Sequence, residues 1–198
     1  ILGNHDGNLK NSNRQDALPP IADALRHPKL HLLKNSGEVL LDNKFTLNVL
    51  SVFDLDNWSE PSNENRVNIA LYHGSISGCK TDIGWKMEHG ENDVSIFDKF
   101  DYAFLGDIHK TNQILDEDGR IRYCGSTVQQ NHGETNDKGF LIWEINDKDS
   151  FNCHHVKLLN PKPFVSIELT KKGRIPKGVH VQEGARLRLI TNNNLPLD

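Results

Sequence analysis

The sequence predicts an α/β protein, and three observations predict it. Short apolar runs that read as strands alternate with a few helical stretches along the chain. Three of those runs meet polar clusters that contain glycine: Gly3-Asn4-His5-Asp6, His73-Gly74 and Gly106-Asp107-Ile108-His109. In α/β folds the crevice outside the C-terminal ends of strands is where ligands bind. The length of 198 residues, with 36% hydrophobic and 25% charged residues, suffices for one domain with an apolar core, or one domain plus part of another.

Taken in order, Asn13 is placed to cap a helix that runs to Leu25 and carries Leu18, Ile21, Ala22 and Leu25 on one face. Pro19-Pro20 suits a first helical turn and sets a later start. Residues 30–33, 39–41 and 45–53 read as strands, and 57–65 as a polar loop. Residues 67–72 form a short apolar strand that ends at His73-Gly74. Residues 94–100 read as a short helix, and 102–105 as a buried strand that ends at Gly106-Asp107. Residues 114–115 and 121–124, joined through Asp118-Gly119, read as a hairpin, and 140–145 with 153–159 as a second antiparallel pair.

No stretch of 18 apolar residues is present, which rules out an apolar helical membrane span. The net charge of −4 excludes a wholly basic nucleic-acid coat protein. The charge is uneven, with residues 1–156 at a net −9 and 157–198 at +5. The change falls at Asn160-Pro161-Lys162-Pro163, a linker signal, so a boundary is placed near 160. The basic segment is either a solvated tail or a face for DNA or a partner. Cys79, Cys124 and Cys153 lie far apart with no CxxC pair, which fits a reducing compartment. The chain begins at Ile1 without an initiator Met or a signal-like segment, so a piece of a longer protein is expected.

The three clusters offer oxygen and imidazole donors and no thiolate, a set suited to Mn, Fe or Zn in a hydrolytic site. Each alone fits a turn or a packing histidine; together they point to a metal site. With these residues the sequence resembles the calcineurin-like metallophosphoesterases. Ile1-Leu2-Gly3-Asn4-His5-Asp6 is similar to the family's third motif and Leu71-Tyr72-His73-Gly74 to its fourth. Phe104-Leu105-Gly106-Asp107-Ile108-His109 is similar to its fifth, which normally reads Gly-His-x-His. Within the family the chain looks most like the SbcD-type double-strand-break repair nucleases. That likeness is carried by Leu105 to Lys110, Tyr123-Cys124-Gly125-Ser126-Thr127-Val128-Gln129-Gln130, Gly133-Glu134 and Lys138-Gly139-Phe140.

The resemblance implies an α+β sandwich, truncated at its N-terminus, over residues 1–159, and the start of a capping, DNA-binding domain over 163–198. It implies two Mn²⁺ ions in the complete enzyme, with Mg²⁺, Fe or Zn as alternatives. Asn4, His73 and Asp107 would ligate the second ion and His109 the first. The family's motifs Asp-x-His and Gly-Asp-x-x-Asp, which supply most ligands of the first ion, would precede Gly3. Asp107 stands where the family usually has His, an oxygen ligand in place of a nitrogen one. His5 would be the proton donor, and Asp6 would either orient His5 or cap the turn. Read from the residues, Gly125-Ser126 would shape the substrate loop or serve as a plain turn, and Gln129, Gln130, Asn131 and His132 would either face DNA or form an ordinary polar loop.

The implied function is manganese-dependent exonuclease and endonuclease cleavage of DNA in repair or recombination, in the cytoplasm or the nucleus. The implied partner is an SMC-like ATPase of the SbcC type, since this chain has no Walker A loop; a homodimer is compatible. The 198 residues alone are expected to be inactive. Two rivals remain: a metallophosphoesterase acting on a protein phosphate, cyclic nucleotide or small phosphodiester, and a non-catalytic scaffold for DNA or the ATPase.

Overall fold

The computed structural model describes residues 1–7, 9 and 15–191. Strand β1 (Gly37–Leu40) and strand β2 (Phe45–Leu50) form a hairpin. Asp42 sets its turn, because its carboxylate accepts the Lys44 and Phe45 N–H groups at 2.7 and 2.8 Å. The apolar runs that follow give β3 (Val67–His73) and β4 (Tyr102–Gly106), and the hairpin expected near Asp118-Gly119 gives β5 (Gln113–Ile114) and β6 (Ile121–Tyr123). These six strands make one sheet in the order β1-β2-β3-β4-β6-β5, with β2, β3, β4 and β6 parallel.

A separate antiparallel ribbon, β7 (Gly139–Ile145) with β8 (Phe151–Lys157), covers one face of that sheet. Alternate residues of β7 are shielded, as a pleated strand over a core requires. Trp143, Ile145 and Phe151 pack on Val67, Ile69 and Tyr102, with Phe104 stacked on Trp143 at 4.7 Å between ring centroids. On the opposite face Ala70, Tyr72, Ala103, Leu105 and Tyr123 meet Ile76, Cys79 and Phe97 from the β3–β4 connection. A parallel pair that the sequence pattern does not reveal, β9 (Phe164–Glu168) with β10 (Arg186–Ile190), forms a third sheet.

The α/β metallophosphoesterase sandwich expected from the sequence is not what forms. Strands hold 30% of the structure and helices 8%. Among the described residues the helices are α1 (Pro19–Leu25) and two 3-10 turns, Leu55–Asn57 and Val94–Phe97. The parallel strands are linked by coil with single 3-10 turns and by the short strand β5, a β-solenoid-like feature, where layered helices were expected. The reason lies in the connections. Residues 74–92 hold Gly78 and Gly84 at φ 87° and 83°, outside helical space. A Cβ at Gly90 would lie 2.5 Å from the Ser77 nitrogen, so this segment folds back on itself through isolated bridges. Asn, Asp and Ser, which dominate 54–66, favour turns over helix interiors.

Other expectations fare unevenly. α1 starts at the prolines; Asn13 lies outside the described residues, and Leu18 precedes the helix without a side-chain cap. Its apolar stripe is not buried, since Ile21 and Leu25 are exposed. Residues 30–33 form no strand, and β2 stops at Leu50. All three cysteines are free. Among the described residues no helix is long and apolar enough to cross a membrane.

Tyr123 fixes the exit of β3. Its ring is fully buried, its hydroxyl donates to the Gly74 carbonyl at 2.7 Å, and it accepts the Ile76 N–H at 2.9 Å. Burial pushes the phenol up, so it stays a protonated donor. Tyr123→Phe leaves both backbone groups unpaired in the core and is expected to cost about 1–3 kcal/mol. Urea unfolding checks this; a loss below about 0.5 kcal/mol would show that the two groups find other partners.

Candidate functional site

The site grows from the register of two parallel strands. His73 at the end of β3 pairs with Gly106 at the end of β4, so His73 and Asp107 emerge side by side. The turn that carries Asn4 and His5 is anchored by buried Leu2. Asp6 closes this turn, accepting the Gly3 N–H at 2.8 Å while its own N–H donates to the Gly3 carbonyl. Two glycines make room for the His73 ring. A Cβ at Gly3 would lie 2.6 Å from His73 Cε1, and one at Gly106 would lie 2.8 Å from Nδ1.

Asn4, His73 and Asp107 therefore come together. Asn4 Oδ1 is 3.3 Å from His73 Nε2, the Asn4 amide donates to Asp107 Oδ1 at 3.4 Å, and His73 Nε2 is 3.7 Å from that same oxygen. Burial pushes the His73 imidazole below its usual range; Asp107, Asp6 and Glu91 oppose the shift and His5 adds to it. The ring is thus held neutral, the form that binds metals. His5 and Asp6 follow Asn4 directly on the same turn. Asp107 adopts φ 92°, a conformation that side chains other than glycine rarely take. Such strain is characteristic of functional sites.

Among the described residues no three His, Cys, Asp or Glu side chains converge as a metal site. The cluster has one imidazole, one carboxylate and one amide oxygen. Only Asn4 Oδ1 and His73 Nε2, 3.3 Å apart, have the roughly 3–3.5 Å spacing of two donors about 2.0–2.2 Å from one transition metal. Asn4 meets Asp107 through its amide nitrogen, and His73 Nε2 stands 3.7 Å from Asp107 Oδ1.

His109 turns to a different set of partners. Its Nδ1 is 2.9 Å from Glu134 Oε1, and its Nε2 is 3.4 Å from the Gln130 amide. Burial works to raise the Glu134 carboxyl, but the Gln130 N–H, His109 and the Lys138 charge hold it below the usual carboxylate range. Lys138 is buried and reaches Asp82 at 2.6 Å, the His109 carbonyl at 2.7 Å and Glu134 at 3.5 Å. Asp82, Glu134 and Lys138 are the residues that sequence reasoning missed. Glu134 and Lys138 lie in the stretches that carry the family likeness, but no spacing signal marks a lysine before a strand as buried.

The Tyr123–Gln130 block supports His109. Gly125, at φ 82°, lies under the backbone of Thr111, and the Ser126 N–H donates to the His109 carbonyl at 3.4 Å. Gln129 does not face DNA: it is buried, donates to the Glu134 and Phe164 carbonyls, and accepts the Phe164 N–H. His132 packs edge-on against Phe164. Asp107 and His109 share a cleft of about 340 Å³ with Asp82, Trp85, Lys110 and Glu134.

No family model matches the chain. It is 38% identical over 162 residues to an uncharacterized protein of Acanthamoeba polyphaga mimivirus, a match covering 76% of this chain and 12% of that protein. It is 32% identical over 120 residues to the SbcD component of the nuclease SbcCD from Staphylococcus epidermidis, covering 58% of this chain and 31% of that protein. The chain thus spans less than a third of the length of either relative. Part of it is similar to a nuclease component.

Proposed function

We propose that this chain carries part of the active centre of a metal-dependent DNA phosphodiesterase. The observation that supports this reading is the convergence of Asn4, His73 and Asp107 within 3.3–3.7 Å at adjacent strand ends, in a chain partly similar to a nuclease component. These three residues would hold a divalent ion, manganese by the donor set, with Mg²⁺, Fe or Zn as alternatives. When bound, such an ion supplies Lewis-acid polarisation of the phosphate and an activated water.

The chain's own residues do the rest. His5, exposed on its turn beside the cluster, would protonate the leaving oxygen. Gly106 lets the backbone come close to His73, and Glu134 fixes the His109 ring. His109 would contribute to a first metal position together with groups outside the cluster. The capping segment 163–198, within the basic stretch 157–198, would flank the DNA, and an SMC-like ATPase of the SbcC type would be the partner.

The test is Mn²⁺-dependent cleavage of double-stranded DNA ends by the longest native polypeptide that carries this sequence, with the 198-residue chain beside it. Cleavage by the former that His73→Ala removes, and little by the latter, is the expected result. Cleavage of a small aryl phosphodiester alone would favour a different phosphoesterase. No cleavage by folded protein of either length would overturn the reading in favour of a scaffold.

A further inference from the structure

The connection after β3 carries two large apolar side chains in solvent: Ile83 is 75% and Trp85 57% exposed. Exposure of this kind opposes folding, yet the turn that bears them is rigidly built. The Thr81 N–H donates to the Trp85 carbonyl at 2.9 Å, and the Gly84 N–H to the Thr81 carbonyl at 3.0 Å. Lys80 exchanges two hydrogen bonds with the Gln113 amide, at 2.7 and 3.0 Å. Asp82, next to Ile83, is tied to buried Lys138. Ile83 and Trp85 are therefore presented in a fixed place, which lowers the entropic cost of contact with a ligand.

Their surroundings say which ligand. Both line the cleft that holds Asp107 and His109, and Lys110 and Asn131 line it too. Across it stands Gly133, where a Cβ would lie 3.7 Å from Ile83 Cγ2. The volume of about 340 Å³ is at the small end for a ligand site. The Asn131 amide is already engaged, donating to Glu134 at 3.0 Å and accepting the Gly133 N–H at 2.8 Å. An occupant is therefore met by the exposed apolar ring of Trp85 and by the Lys110 ammonium, beside the carboxylates of Asp82, Asp107 and Glu134. A nucleobase with its phosphate offers a flat apolar face to the ring and an anion to the ammonium. Resting on the phosphodiesterase reading, we infer that this cleft binds the unstacked base next to the scissile phosphate, with Trp85 as its stacking platform.

Isothermal titration calorimetry on the 198-residue chain tests this without requiring turnover. The probes are a single-stranded thymidine octamer and an abasic sugar-phosphate octamer of equal charge. The octamer with bases is expected to bind about 5- to 150-fold more tightly, the range for stacking one base on an aromatic ring. Trp85→Ala should remove that preference with an unchanged unfolding midpoint, and Trp85→Phe should keep part of it. Equal binding of the two probes by the unmodified chain, or full preference in Trp85→Ala, overturns the inference; an apolar protein segment would then be the better occupant. Base preference that depends on Trp85, without Mn²⁺-dependent cleavage in any length of protein, would remove the hydrolytic reading and leave the base site standing. Cleavage without base preference would do the reverse.

Discussion

Lys138→Ala is expected to lower the unfolding free energy by about 3–5 kcal/mol, the usual cost of removing one partner from a buried ion pair. Lys138 is 1% exposed and serves two carboxylates and one carbonyl. Without it Asp82 and Glu134 lose the ammonium they share, in a medium that solvates carboxylates poorly, while Glu134 keeps its His109 and Gln130 partners. The loss should be read by urea unfolding at neutral pH, and a change under about 1 kcal/mol would mean that water reaches the cluster. A pH dependence follows from the same group. The folded-state Glu134 carboxyl sits below its ordinary value of 4.5. The stability it contributes is complete above that value and is lost as the pH falls through the lower folded one. Glu134→Gln should flatten that part of the acid limb while leaving the limb above about pH 5 unchanged in shape, since no carboxyl at 134 remains to titrate.

His5→Ala is expected to lower turnover by about 10²–10⁴-fold in a protein that cleaves DNA, the range for a positioned acid. Manganese affinity should stay nearly intact, because the three donors that converge are Asn4, His73 and Asp107 and not His5. Steady-state rates at saturating Mn²⁺, set beside a metal titration, separate the two effects. An equal loss of bound metal would make His5 a ligand and end its assignment as proton donor.

The strands were legible because their apolar runs are short, dense and bounded by turn residues. Residues 67–72, 102–105 and the hairpin around Asp118-Gly119 all appear within a residue or so of the expected bounds. The helical layers were not there to be read. They came from resemblance, and glycines at 78, 84 and 90 in the β3–β4 connection oppose them. The β9–β10 pair escapes the sequence pattern because β10 is almost wholly exposed and carries Arg186 and Arg188 among its apolar residues, which leaves β9, with buried Ile167, without a recognisable partner. At the site, glycines beside each polar cluster signalled close approach, and Gly3 and Gly106 do flank the His73 ring. What the residues' order could not reveal was the support around the cluster. That Glu134 grips His109, and that Lys138 lies beneath both, depends on how a loop 25 residues downstream returns to β4.

The claim that Asn4, His73 and Asp107 form one metal-binding half-shell is tested most directly by electron paramagnetic resonance of Mn²⁺ titrated into the 198-residue chain. The account predicts weak but saturable binding of one ion, reduced at least about tenfold by His73→Ala and by Asp107→Ala, as loss of a ligand or its support requires. Binding that neither substitution changes, or no binding by folded chain, would contradict it.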